Sequence, residues 1–437
     1  MSHRLPAWLA VLAAAVLAAP GASAQGRPER PFRGLFGSGA GPADHSLVAN
    51  GSIGGGWDNN VVLDLFGSRN RISNLNTASR GGVGHASGSL SYGLNLTAVS
   101  VNASGGTSVH FYPTLASRFV RRYFGSAGAS VQVSRYITAQ GSVAYTPFSL
   151  SSLLPYYRGE LEDVALPDVD FASSIEHYRA YSAGAAYQRQ LSRRTRINAD
   201  YSFRTRDGSF AARDYHSHRV GGGLTHELGR DLNFNAGYRY GTSDRALDDR
   251  SLQTHNINVG IDYNRSLSFS RRTTLSFSTG TAAVTRPLED DTRTRFSVIG
   301  DVQLTHEIGR TWNATAGYAR NVRFDEDWPD FVSSDSLSAS LAGLLSQRLQ
   351  FQSSVRGSTG KVGLSSQEGG FRGYYANAGL AYALGRQVGV SLTYAYYRHR
   401  FARGVELPAD FANHYNRHSV RASLNLWAPL FARARRP

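Results

Sequence analysis

Across residues 46–427 an apolar residue repeatedly sits beside a small or polar one, and this two-residue rhythm restricts the chain to β-strands. Val388, Val390, Leu392, Tyr394 and Tyr396 share one face of such a strand, with Gly389, Ser391, Thr393 and Ala395 on the other. Leu232, Phe234, Ala236, Tyr238 and Tyr240 oppose Asn233, Asn235, Gly237, Arg239 and Gly241. Ile257, Val259, Ile261 and Tyr263 oppose Asn256, Asn258, Gly260 and Asp262. The best runs last about nine residues, whereas strands of soluble sheets are usually about five or six. A strand that crosses a bilayer needs roughly nine to eleven, apolar toward lipid and polar toward an interior. Length therefore selects a membrane barrel.

A second regularity supplies the topology. Short turns recur at Leu191-Ser192-Arg193-Arg194, Leu228-Gly229-Arg230, Phe269-Ser270-Arg271-Arg272, Ile308-Gly309-Arg310, Leu345-Ser346-Gln347-Arg348 and Leu384-Gly385-Arg386. Their last arginines lie 36, 42, 38, 38 and 38 residues apart. Longer acidic or Pro-containing connections separate them, as at 286–291, 325–331 and 403–411. Strand, long loop, strand, tight turn is the hairpin plan of an outer-membrane barrel, with its tight turns in the periplasm. A β-propeller has a comparable period but places four shorter strands in each repeat.

Strand starts are expected near Ser46, Gly84, Val99, Arg122, Tyr136, Glu176, Arg196, Tyr215 and Leu232. They continue near Leu252, Thr274, Arg293, Thr311, Asp335, Leu349, Phe371, Gln387 and Asn416. The fold class is all-β: one antiparallel up-and-down transmembrane barrel over 46–428, of about 18 strands and within about 16–18. The stretch 84–113 reads as two strands or as one bent one. In lipid each unpaired backbone amide costs several kcal/mol, which excludes an open sheet edge and forces closure. Tyr240, Tyr318, Tyr397 and Tyr415, near strand ends, suit the interfacial aromatic girdles.

Residues 1–24 read as a secretory signal peptide, with Arg4, an apolar run over 9–19 and Ala22-Ser23-Ala24 before Gln25. The chain contains no cysteine, so neither a lipoprotein anchor nor a disulfide framework is expected. Residues 25–45 form a Pro/Gly/Arg-rich periplasmic lead-in and 429–437 a periplasmic tail. The expected location is the outer membrane of a Gram-negative bacterium. A net charge of +15 invites a nucleic-acid reading, yet among 47 Lys+Arg the lone lysine is Lys361 and the arginines are scattered. Without a basic helix or clustered stripe, nucleic acid is rejected as a partner. The partners expected are outer-membrane lipid and lipopolysaccharide, the barrel-assembly machinery and polysaccharide-export components.

Strand parity converts into a lining. With the apolar set toward lipid, Asp200, Arg204, Arg219, Glu227, Arg239, Asp262, Asp301 and Arg356 point inward among many Ser, Thr, Asn and Gly. An arginine on the lipid face costs about 2–4 kcal/mol at the midplane, whereas beside water it is at home. Two readings stay open: a charged, solute-selecting channel, and cross-strand pairs that hold the wall together and fill part of the lumen. A barrel of roughly sixteen or more strands leaves an aqueous passage unless something plugs it. The long loops around 58–82 and 149–173 are the candidates to fold inward as constrictions.

Motifs for chemistry are weak. Asp214-Tyr215-His216-Ser217-His218 is the best hydrolase candidate, with two histidines on one face near the outer rim. No matched nucleophile or paired acid accompanies it, so rim histidines in water are the better reading. As a metal site the same run offers Asp214, His216 and His218, which fit no specific signature. Asp58-Asn59-Asn60 and Asp325-Glu326-Asp327 have calcium-type acidity, though loop solvation explains them. Gly54-Gly55-Gly56 sits at a strand end rather than before a helix, so it cradles no phosphate and serves bulges or close packing. No enzyme activity, cofactor or metal is expected.

Gly54-Gly55-Gly56-Trp57-Asp58-Asn59-Asn60-Val61 resembles the opening of a broad family of outer-membrane barrels, the β-barrel porin 2 family, some encoded beside exopolysaccharide systems. The Leu-Gly-Arg and Leu-Ser-Arg turns and Tyr145-Thr146-Pro147 are similar too, so the resemblance covers 46–427. The C-terminus departs from the pattern. Such barrels often end on an aromatic residue read by the assembly machinery, but here Trp427 and Phe431 precede Ala-Arg-Ala-Arg-Arg-Pro, which implies an internal signal. The resemblance implies a pore for diffusion or export of polar solutes or surface polysaccharide. The rivals are a closed structural or adhesion barrel acting through its extracellular loops and, third, a membrane-embedded hydrolase.

Overall fold

The computed structural model describes residues 44–59, 80–113, 119–147, 177–208, 214–245, 248–267, 270–287, 292–324, 331–362, 369–402 and 414–433. Residues 1–43, which hold the expected signal peptide and most of the expected lead-in, the segments 60–79 and 148–176 and the Asp325-Glu326-Asp327 run lie outside them. The described residues form eighteen strands. The first six are β1 (His45–Asp58), β2 (Gly81–Asn95), β3 (Val99–Phe111), β4 (Phe119–Gln132), β5 (Ile137–Pro147) and β6 (His177–Gln190). Next come β7 (Thr195–Gly208), β8 (Tyr215–Glu227), β9 (Leu232–Arg245), β10 (Asp248–Leu267), β11 (Ser270–Pro287) and β12 (Thr292–Ile308). The last are β13 (Trp312–Phe324), β14 (Phe331–Leu344), β15 (Leu349–Val362), β16 (Gly370–Ala383), β17 (Val388–Phe401) and β18 (His414–Arg433). The stretch 84–113 resolves into two strands, β2 and β3.

Each strand pairs antiparallel with its chain neighbours, and β1 pairs with both β2 and β18. The sheet is a closed 18-stranded barrel. Closure lets each strand's amides pair with both neighbours, the condition a spanning sheet must meet in lipid.

The tight turns owe their geometry to serine and glycine. In Leu345-Ser346-Gln347-Arg348 the Leu345 N–H donates to the Leu349 carbonyl at 2.8 Å, and the Ser346 hydroxyl accepts from Arg348 N–H at 3.3 Å and Leu349 N–H at 3.1 Å. Ser134 accepts from Tyr136 and Ile137 in the same way at 3.2 and 3.1 Å, so Val133-Ser134-Arg135 is a further turn of this kind. Gly309 takes φ +66° between β12 and β13, a left-handed conformation that a side chain would resist.

Two expectations need correction. Pairing of β18 continues to Arg433, beyond the expected boundary at 428, because a bulge between Leu47 and Val48 steps past Leu430 next to Pro429. Proline has no N–H for the ladder, and a bulge is where a strand tolerates it. The expected turn at Phe269-Ser270-Arg271-Arg272 overlaps a strand, since β11 already begins at Ser270.

Candidate channel lining

Side chains paired across an antiparallel ladder share a face, so the registers carry face identity round the ring. Tyr238 pairs with Ile257, Tyr318 with Leu337, Leu380 with Leu392 and Ile53 with Leu424, and all eight are exposed. This apolar face is the outside of the barrel. One step along each strand lies the inner face, on which Asp200, Gly221, Arg239 and Asn256 form a single row across β7–β10.

By register, the eight charged residues singled out from the sequence lie on the face opposite the exposed apolar one. Asp200 and Arg204 lie on β7, Arg219 and Glu227 on β8, Arg239 on β9, Asp262 on β10, Asp301 on β12 and Arg356 on β15. Their chain neighbours Tyr201, Val220, Tyr238, Ile261, Val302 and Val355 are exposed on the opposite face. The structure does not gather the eight into one cluster; it spreads them along the wall.

The aspartates are engaged rather than bare. Arg239 Nη2 lies 3.6 Å from Asp200 Oδ1, across the intervening strand β8. Gly221 makes this reach possible, since a Cβ there would sit 3.0 Å from Asp200 Oδ1 and 3.2 Å from Arg239 Nε. The Asn235 amide donates to Asp262, and the Ser278 hydroxyl donates to Asp301. Arg204 is exposed, Arg219 and Arg356 are half-buried, and Glu227 is exposed beside the turn end of β8. Asp200 and Arg239 border a recess of about 210 Å³ whose walls include Asn198, Asn235, Asn256 and Asn258. Such a surface is dense in amide donors and acceptors with small residues between them.

Toward the long-loop end the inner face changes character. Phe371, Tyr375, Tyr397 and Phe401 are buried there with Val332 and Val362. The rings of Phe371 and Phe401 are 5.9 Å apart, and the Tyr397 hydroxyl is 2.9 Å from His399 Nδ1. Tyr397 is therefore not a girdle residue: it lies one step from Tyr396 and faces inward. Tyr394 takes the outer position on that strand, exposed as Tyr240's neighbour Tyr238 and Tyr318 are. The side chain of Tyr415 lies outside the described ones.

Sequence reasoning missed the most deeply buried charges. Arg417 on β18 donates from Nε to Asp58 Oδ2 on β1 at 2.7 Å and from Nη2 to the same oxygen, both side chains being 1% exposed. Asp58 is thus part of a strand and bound to an arginine, not a calcium ligand in a loop. The Asn59 side-chain oxygen accepts the backbone N–H of His418. Parity along β18 would have placed Arg417 inward with Ser419, Arg421, Ser423 and Asn425, opposite Val420, Ala422, Leu424 and Leu426.

His216 and His218 lie on the outer face, where their Nδ1 atoms meet Thr205 Oγ1 at 2.7 Å and the Tyr201 hydroxyl at 2.9 Å. Asp214 instead accepts the Gly208 N–H at 2.8 Å. The three do not converge. Among the described residues no group of three or more His, Cys, Asp or Glu is placed to hold a metal ion.

No protein-family model matches the chain, and a search of curated proteins finds no match, so the resemblance to the β-barrel porin 2 family rests on the quoted residues alone. Among solved structures, OccK8 (OprE) of Pseudomonas aeruginosa is similar with a TM-score of 0.45 at 11% identity, covering 89% of this chain and 99% of that one. OccAB1 of Acinetobacter baumannii has a TM-score of 0.44 at 12% identity, covering 89% and 97%. The siderophore receptor PirA of Pseudomonas aeruginosa has a TM-score of 0.41 at 11% identity, covering 89% and 81%. The barrel assignment itself stands on the chain's own strand pairings.

Proposed function

We propose that this chain spans the outer membrane of a Gram-negative bacterium as a channel for the diffusion or export of polar solutes, a surface polysaccharide among them. The observation that carries the reading is the closed ring of eighteen strands, apolar outside and rich in Asn, Ser, Gly and Arg inside. A ring of about this size encloses a water-filled space. The asparagine-lined recess beside Asp200 and Arg239 suits hydroxyl-rich solutes, which exchange hydrogen bonds with amides. No covalent step is assigned to the protein. Purified full-length protein in planar bilayers is the test: steady single-channel currents that an added oligosaccharide attenuates support the channel, and a folded barrel without conductance overturns it.

A second reading has its own observation. The inner face near the long loops is packed with Phe371, Tyr375, Tyr397 and Phe401, each at most 5% exposed, as befits a barrel closed at that end and acting through its outer surface. Absence of current from correctly folded protein supports this alternative.

A further inference from the structure

Lys361, Arg372, Arg398 and Arg400 stand exposed on the outer face at the long-loop end of β15, β16 and β17. The registers make them neighbours: Arg372 is directly opposite Arg400, Arg398 is opposite Tyr374, and Lys361 is opposite Gly370. His414 faces Arg400 from β18. Guanidinium groups directly opposite one another on adjacent strands repel. Relief does not come from the wall itself. Across the described residues of β14–β18 the one acid is Asp335, in the same row as Arg372 but two strands away. Its carboxylate already meets Arg320 Nε at 3.4 Å and the Tyr318 hydroxyl at 2.6 Å.

Height on the barrel indicates which anion the patch would meet. Tyr374 stands level with Arg398, and below them, toward the turns, the outer face carries exposed Tyr394, Leu392, Leu380 and Tyr382. Cations standing immediately above an aromatic girdle lie at headgroup level, where the hydrocarbon ends. Four strands at about 4.8 Å spacing make the patch about 14 Å wide, broad enough for more than one phosphate. Arginine forks grip phosphate oxygens in pairs.

We propose that this patch binds the phosphate groups of the outer-leaflet glycolipid, lipopolysaccharide, and so fixes one lipid against β15–β18. The inference rests on the membrane-spanning reading above. Its test is native mass spectrometry of the full chain in detergent with diphosphoryl lipid A, dephosphorylated lipid A or phosphatidylglycerol, comparing wild type with R372Q/R398Q/R400Q. Wild type is expected to retain diphosphoryl lipid A, and the triple variant to bind it roughly tenfold to a hundredfold more weakly. Arg386→Gln, at the turn end of the same wall, should bind as wild type does. Equal retention by the triple variant, undiminished binding of dephosphorylated lipid A, equal binding of phosphatidylglycerol, or displacement of lipid A by equimolar inorganic phosphate would each overturn the proposal. Heat-modifiable gel migration is read in parallel. If wild type itself shows no compact unheated band, it is the membrane barrel that fails, and with it the patch.

Discussion

Asp58 and Arg417 are 359 residues apart in the chain, yet their side chains form a buried ion pair where the first strand meets the last. Asp58 belongs to β1 and lies opposite Ser419, two residues beyond Arg417 on β18. The pair therefore bridges the junction on which the ring closes. Its burial means that removing one partner strands the other away from water.

Removing either partner alone should be costly. Breaking a buried pair typically destabilises by about 3–5 kcal/mol, whereas replacing both members with apolar residues is often close to neutral. Asp58→Ala and Arg417→Ala are expected to lower the temperature at which the compact band disappears on unheated gels, and D58L/R417M to recover most of the loss. Unchanged single variants would refute the closing role.

Glycine at the same junction is a steric requirement. A Cβ on Gly56 would land on the Val420 carbonyl oxygen, and one on Gly54 would meet His85 Cε1 at 2.7 Å. Gly56→Val should reduce the yield of folded barrel severely, while Gly88→Ala, whose Cβ would meet nothing within 4 Å, should fold normally. Protease-resistant yield from membranes measures both.

Face identity gives a sharper test. Leu392 is on the outer face and Thr393 on the inner one. Leu392→Arg is expected to cost about 2–4 kcal/mol, and Thr393→Arg far less, because only the first places a charge in lipid. Denaturant titration in lipid vesicles compares them. Because the chain has no cysteine, single cysteines at 392 and 393 can also be probed with a water-soluble maleimide, which should label 393 alone.

Ion preference follows from the lining. Among the described side chains of the inner face, Arg122, Arg196, Arg204, Arg206, Arg219, Arg239, Arg356, Arg417 and Arg421 outnumber Asp58, Asp200, Glu227, Asp262, Asp301 and Glu307, so positive charge is in excess there. Reversal potentials in a salt gradient should show anion preference, weakened by Arg239→Gln and strengthened by Asp200→Asn. Stability should change little, since an ion pair this exposed contributes at most about 1 kcal/mol. Cation preference in wild type would contradict the assignment.

Much of the architecture was legible because period-two alternation is a local signal. Leu392 and Thr393 betray their faces without knowledge of any partner, and Ser346 betrays its turn through its own backbone contacts. What lies across the ring is not local. Nothing around Asp58 announces an arginine supplied by β18, and parity alone does not reveal that the inner face turns aromatic near Phe371 and Phe401. Strand ends were blurred for a related reason. β10 begins at Asp248 rather than near Leu252 and β14 at Phe331 rather than near Asp335, because hydrogen bonding continues beyond the bilayer, where apolar alternation is no longer demanded. Parity put Asp200 and Arg239 on one face; their approach across β8 required Gly221, a position whose importance lies in what it lacks.

The meeting of β1 with β18 also sets an order of events. β1 comes first in the chain, but one of its two partners, β18, follows only after sixteen further strands. For that whole interval its row of amides is a template on which a second copy could nucleate a misassembled sheet. Slowing delivery of the final hairpin should therefore generate cross-linked oligomers through the first strand before any other part of the wall.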